Sequence, residues 1–257
     1  MKRASLALVL LLLPFGIGAC LPISTPLPPL PTGTALPPTQ TATPTPVWFP
    51  PTPTNTPLPT SVVTPTVSVK PVLGAITFTD NFSNPANWTL GKRPAGRISL
   101  GKGELTLAVN QPGGYLFSLR QGSTLGDFYA EITASPSICL GGDEYGMLIH
   151  FSINQEFYRF SLTCDGQVRL DKYFNGKASS PQPLTPNGSI PPGAPSISRL
   201  AVLAAGNDMS FFANGEYLFT VRDPSLPVGS LGVFARSASD NAVTVNFSDL
   251  VVYKTAK

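Results

Sequence analysis

From Leu73 to the C-terminus, apolar and polar residues alternate in short runs cut by Gly, Asn, Asp and Pro, and no long stretch keeps a helical period. The pattern predicts strands near Ala75–Phe78, Arg97–Leu100, Glu104–Val109, Tyr115–Ser118, Asp127–Ala134, Tyr145–Ile153, Phe157–Cys164, Gln167–Tyr173, Leu200–Ala205, Met209–Ala213, Tyr217–Arg222, Leu231–Ala235 and Val243–Lys254. Asp165-Gly166 and Asn214-Gly215 fit two-residue hairpin turns between neighbouring strands. Many short strands with tight turns predict an all-β fold, a two-sheet antiparallel sandwich occupying residues 73–257. Asn175 to Ser198, rich in Pro, Gly and Ser, is expected to be a surface connection.

Period-two spacing also assigns faces. Tyr145, Met147, Ile149 and Phe151 fall on one side of their strand, and Gly146, Leu148 and His150 on the other. In the next two strands Tyr158, Phe160, Leu162, Cys164, Val168 and Leu170 point inward, leaving Arg159, Ser161, Thr163, Arg169, Asp171 and Tyr173 outward. One sheet face would then bear His150, Arg159, Arg169 and Tyr173, joining a stacking surface to planar hydrogen-bond donors, as sugar binding requires. The plain alternative is a solvated sheet face. His150 is the one histidine of the chain, and no partner stands at a spacing that suggests a serine triad or a zinc site. It reads first as a hydrogen-bonded strand histidine.

Ahead of the domain the composition changes abruptly. Leu21 to Val72 is dominated by Pro and Thr, with blocks such as Pro51-Thr52-Pro53-Thr54. Such a segment buries too little apolar surface to offset its ordering entropy and favours extended polyproline II, so residues 20–72 are expected to form a disordered, semi-rigid linker. Trp48-Phe49 is its apolar interruption. The chain carries 17 Lys and Arg against 14 Asp and Glu, but Lys2, Arg3 and Lys70 account for the whole excess. From Leu73 onward the charges balance, and no basic stripe exists to displace counterions. A nucleic-acid partner is therefore not expected.

The first twenty residues carry a basic head, Lys2-Arg3, then an apolar run, Leu6 to Leu13, too short to cross a bilayer, then Ile17-Gly18-Ala19-Cys20. This order resembles the lipobox of bacterial lipoproteins. The resemblance implies a signal peptide over residues 1–19, cleavage before Cys20, and acyl groups on the Cys20 thiol that hold the protein on the outer side of a bacterial membrane. The alternative is an ordinary secretory signal with an incidental cysteine. In an exported protein the remaining Cys139 and Cys164 are expected to pair as a disulfide rather than bind metal, since no further Cys or His ligand lies near them; two free buried thiols are the alternative.

A further likeness runs through the domain in the order Asp80-Asn81-Phe82-Ser83, Trp88, Gly103-Glu104-Leu105, Tyr145-Gly146, Phe157-Tyr158-Arg159-Phe160, Asp165-Gly166, Asn214-Gly215-Glu216 and Phe247-Ser248-Asp249-Leu250. It resembles the concanavalin A-like, or laminin G-like, jelly roll of bacterial surface proteins. Lectins, glucanases and a branch described as 3-keto-disaccharide hydrolase-like share that fold, so fold alone does not fix activity. Glucanases of the superfamily carry three carboxylates alternating along one strand, and no such run occurs here. The hydrolase-like branch has Asn-Ser-Gly where this chain has Glu144-Tyr145-Gly146, and an arginine where His150 stands. The resemblance also implies loop calcium, for which Asp143 and Asp208 are weak candidates without a full oxygen set. No other cofactor is expected and no catalytic residue is assigned. Three readings follow: a surface lipoprotein presenting a carbohydrate-binding face, a weak glycoside or keto-sugar hydrolase, or a structural or protein-binding module.

Overall fold

The computed structural model describes residues 71–255; the leader, Cys20 and all but the last two residues of the Pro/Thr segment lie outside that range. The strands are β1 (Leu73–Asp80), β2 (Gly91–Arg93), β3 (Gly96–Gly101), β4 (Glu104–Val109), β5 (Tyr115–Leu119), β6 (Phe128–Ile138), β7 (Glu144–Phe151), β8 (Phe157–Thr163), β9 (Gln167–Phe174), β10 (Lys177–Pro186), β11 (Ser198–Ala205), β12 (Asp208–Ala213), β13 (Glu216–Arg222), β14 (Ser230–Arg236) and β15 (Val243–Thr255). They form two antiparallel sheets stacked as a jelly-roll sandwich. One sheet runs β13-β12-β11-β6-β15-β4-β3-β2, and the other β10-β9-β8-β7-β14-β5. β15 is long enough to serve two partners along one edge, β4 against Val243–Phe247 and β1 against its C-terminal half.

Alternation places one face of each strand in the shared core. From the six-stranded sheet come Tyr145, Met147, Ile149, Tyr158, Phe160, Leu162, Val168, Leu170, Leu231 and Val233; from the larger sheet come Leu105, Leu107, Ile132, Leu200, Val202, Phe211, Val245, Phe247 and Val252. Phe160 and Phe211 meet across the two sheets with ring centroids 4.8 Å apart. Each fully buried aromatic or aliphatic side chain contributes roughly 1.5–3 kcal/mol, so this dry layer is the main source of stability. The Asp80–Trp88 motif forms a clasp at the end of β1. The Asp80 carboxylate accepts hydrogen bonds from the Phe82 amide, Asn87 Nδ2 and Trp88 Nε1, and Phe82 stacks on Trp88.

Cys139 and Cys164 are joined as a disulfide, Cα atoms 5.8 Å apart, tying the loop after β6 to the end of β8. The turns predicted at Asp165-Gly166 and Asn214-Gly215 join β8 to β9 and β12 to β13. Gly166, Asn214 and Gly215 hold the positive φ that such turns need.

Two expectations are corrected. Part of Asn175–Ser198 is not irregular, because Lys177–Pro186 pairs with β9 as the edge strand β10. Its prolines are tolerated because an edge strand has one unpaired side, and the register breaks at Ser179/Gln182 and Gln182/Thr185. The second correction concerns β7. Gly232 faces Leu148 while Ser230 faces Phe151, so β7 carries one extra residue in that interval. The bulge holds His150 at φ 51°. Beyond it the side-chain phase is inverted, so His150 turns inward and Phe151 outward.

Candidate functional site

The six-stranded sheet has a second buried layer on its outer face. Leu148 and Phe234 are fully buried yet lie outside the inter-sheet core. Phe234 meets Tyr115 at 5.7 Å, and the Arg159 guanidinium covers both rings together with Tyr173. Arg159 is thus 7% exposed although it points away from the core.

A charged network surrounds it. Arg159 Nη2 donates to Asp171 Oδ2 at 2.6 Å and lies 3.7 Å from Glu144 Oε2. Arg169 Nη2 and Arg236 Nη1 both donate to Glu144 Oε1, at 2.8 and 2.9 Å. Arg169 Nε stands 3.0 Å from Asp171 Oδ2, and Ser180 of the edge strand β10 donates to Asp171 Oδ1. Strand pairing creates this convergence. Arg159 sits opposite Asp171 and Leu148, Ser161 opposite Arg169 and Gly146, and Arg236 opposite Glu144 and Tyr115. Burial disfavours the Arg159 charge, but the Asp171 hydrogen bond and the nearby Glu144 outweigh it, so its pKa lies above the ordinary arginine value. Burial likewise pushes the Tyr115 hydroxyl well above the usual phenol range, against partial opposition from Arg159.

Beside the network runs a row of rings. Tyr173 stacks on Phe157 at 4.6 Å, Phe157 on Phe151 at 5.1 Å, Phe151 meets Phe117 at 5.7 Å, and Phe117 meets Tyr115 at 5.9 Å. Tyr115, Phe157, Arg159, Tyr173 and Arg236 line a depression of about 360 Å³. Seven buried side-chain polar atoms among the described residues have no hydrogen-bond partner. Five belong here: Tyr115 Oη, Glu144 Oε2, Arg159 Nε, Ser161 Oγ and Arg169 Nε, the last held instead in its ion pair with Asp171. An unpaired buried donor or acceptor costs about 1–3 kcal/mol, so such a concentration in one place marks a surface prepared for a polar partner. Depressions of about 440 and 660 Å³ elsewhere are larger but carry none of these atoms apart from the shared Tyr115.

Of the four residues expected on one face, the structure brings together Arg159, Arg169 and Tyr173. His150 is not with them. Its Nδ1 lies 2.7 Å from the Leu226 carbonyl and its Nε2 3.1 Å from that of Gly126, with its ring edge-on to Phe128 and Tyr158. It is therefore a clamp between β7 and two loops. Asp143 is fully buried, and its oxygens accept from the Leu140 and Ala238 amides, which engages it as a loop brace rather than a cation ligand. Asp208 is exposed, 3.9 Å from Arg222. Among the described residues no group of three or more His, Cys, Asp or Glu could hold a metal ion. Sequence reading missed Glu144, Tyr115, Phe151, Phe157 and Arg236. The signal for Phe151 was hidden by the bulge, and that for Arg236 by its dependence on which strand lies beside β7.

No family model matches this chain, and no curated protein sequence does. Its fold is similar to that of a protein of unknown function with a galectin-like fold from Bacillus subtilis, with 14% identity, coverage of 73% of this chain and 100% of that one, and a TM-score of 0.56. It is also similar to the catalytic domain of an endo-1,3-beta-glucanase (laminarinase) from Thermotoga petrophila RKU-1, at 9% identity, 72% and 100% coverage, and a TM-score of 0.52. A third similar structure is the Crh5 transglycosylase in complex with NAG, at 13% identity, 73% and 87% coverage, and a TM-score of 0.50. What this chain shares with them is the fold, the two-sheet jelly roll.

Proposed function

We propose that this chain is a membrane-anchored, extracytoplasmic lipoprotein whose jelly roll binds carbohydrate on the outer face of its six-stranded sheet. The observation that carries the binding reading is the depression lined by Tyr115, Phe157, Arg159, Tyr173 and Arg236, with four polar atoms lacking a hydrogen-bond partner, Tyr115 Oη, Glu144 Oε2, Arg159 Nε and Ser161 Oγ, in or beside it. A sugar ring offers an apolar face to aromatic rings and hydroxyls to both donors and acceptors. Here Glu144 Oε2 accepts, Arg159 Nε donates, and the Tyr115 and Ser161 hydroxyls do either. The jelly-roll fold, shared with a glucanase and a transglycosylase, is consistent with this use. A glycan array probed with the full chain in detergent tests it. Saccharide binding that is lost in E144Q supports the reading, and no binding above background overturns it.

The anchor rests on Lys2-Arg3, the short apolar run and Ile17-Gly18-Ala19-Cys20. Mass spectrometry of the protein from its membrane fraction tests that part, and an uncut leader or an unmodified Cys20 overturns it. One observation favours a hydrolase instead. Glu144 and Asp171 share Arg159, so their carboxylates stand within roughly 6 Å, near the spacing of a glycosidase pair. Against it, Asp171 spends both oxygens on Arg159 and Ser180, leaving Glu144 Oε2 as the uncommitted oxygen. Release of reducing ends by the wild type and not by E144Q would establish hydrolysis.

A further inference from the structure

Arg159 and Arg236 line the depression, and with Arg169, Glu144 and Asp171 beside them they form a network of three guanidinium groups and two carboxylates, an excess of one positive charge in a formally neutral domain. The three arginines are graded in access. Side-chain exposure rises from 9% at Arg159 through 21% at Arg169 to 38% at Arg236. Arg159 and Arg169 are each bound to both carboxylates, whereas Arg236 pairs through Nη1 to Glu144 alone. Its remaining N–H groups form a planar fork at the mouth of the depression, the geometry that grips a carboxylate through two parallel hydrogen bonds. Glu156, the residue before β8, turns its carboxylate to the Asn175 amide.

A second cation lies along the same path. Tyr115 is shared with the neighbouring 440 Å³ depression, which Phe117 and Arg93 also line. Arg93 is exposed and pairs with no carboxylate among the described residues; its Nη1 donates to the Lys92 carbonyl. A chain laid along the aromatic row would therefore pass Arg236 and then Arg93, with Tyr115 between the two depressions.

We propose that the site selects acidic saccharides, with a uronate ring packed against the edges of the Phe157–Tyr173 stack, its carboxylate held by Arg236, and the next acidic unit reaching past Tyr115 toward Arg93. This rests on the carbohydrate-binding reading above and narrows its ligand class. A neutral sugar would leave the excess charge uncompensated, whereas a uronate completes it.

The test is calorimetry of the full chain in detergent with oligogalacturonate, oligomannuronate and hyaluronan oligosaccharides, each beside its carboxyl-reduced neutral counterpart of equal length. At least one acidic member is expected to bind tenfold or more tighter than its neutral form, with the preference falling as salt rises. R236Q, which leaves the aromatic rings in place, is expected to bring the ratio of acidic to neutral affinity close to one, whatever it does to the neutral form. Equal affinity for acidic and neutral members overturns the acidic selectivity and leaves carbohydrate binding standing. Binding of inorganic polyphosphate as tightly as the acidic sugars, unaffected by Y173A, also overturns it, because charge alone would then suffice. Binding of no acidic member while array hits are all neutral does the same. No binding to any saccharide removes both.

Discussion

Phe157 and Tyr173 stand directly opposite each other on β8 and β9, their rings 4.6 Å apart and 25° from parallel. The guanidinium of Arg159 lies 5.3 Å from the Tyr173 centroid. The pair is a face-to-face stack with apolar edges and a charged border, and it sits at the rim rather than in the inter-sheet core. Tyr173→Ala is therefore expected to lower saccharide affinity by about 1–2 kcal/mol, roughly ten- to thirtyfold, with little change in thermal stability. Calorimetry beside a melting curve separates the two effects. A large fall in Tm with unchanged affinity would contradict the assignment.

Arg159 has the opposite balance. Arg159→Met removes the closest counter-charge of Asp171, whose side chain is 7% exposed, while Arg169 and Arg236 remain beside Glu144. Breaking a buried ion pair costs about 3–5 kcal/mol, and the surviving arginines favour the lower end. The apparent Tm should fall by on the order of 10 °C. Asp171→Asn in the same background should recover part of the loss, because the buried carboxylate that has lost its closer arginine is then neutral.

The disulfide links cysteines 25 residues apart, closing a loop that contains Asp143 and all of β7 and β8. On the chain-entropy argument it contributes about 3–4 kcal/mol. The C139S/C164S double variant should melt correspondingly earlier. Because Glu144 opens β7 within this loop, saccharide affinity should fall as well, measured below the new melting range.

His150 makes stability depend on mild acid. Burial pulls its pKa below the ordinary histidine value, more than the Gly126 and Leu226 carbonyls hold it up. The unfolded chain then binds the extra proton first, so the contribution is complete above about pH 6.5 and is lost as pH falls through the folded value. Melting temperature should decline between pH 7.5 and 5. His150→Gln should flatten that slope while lowering stability at every pH.

Asp223 acts in a lower window. Burial alone would raise its pKa, but hydrogen bonds from Lys172 Nζ at 2.5 Å and from Ser225 outweigh this and hold it down at about 2. Its contribution is present above about pH 4 and lost as pH falls through about 2. Partial solvent access limits it to about 1 kcal/mol. Asp223→Asn should remove the corresponding part of the acid limb between pH 4 and 2 without altering the His150 slope.

The two-layer architecture was already legible in the local residue pattern. Alternation over Glu104–Val109, Phe157–Thr163 and Leu200–Ala205 dictates strands with one face in the core, because period two leaves no other way to bury that set. The turns at Asp165-Gly166 and Asn214-Gly215 were legible because positive φ restricts which residues can occupy them. Arg159, Arg169 and Tyr173 could be placed on one outward face because β8 and β9 are joined by such a turn, which fixes their register. What depends on strands distant in the chain emerged only from long-range pairing. Arg236 meets Glu144 because β14 lies beside β7, and Tyr115 completes the depression because β5 follows β14. Neither neighbour is encoded by local periodicity. The bulge at His150 arises where β7 must pair with β14 on one side and β8 on the other. One inserted residue there exchanged His150 for Phe151 on the outer face, a reversal that a period of two cannot foresee.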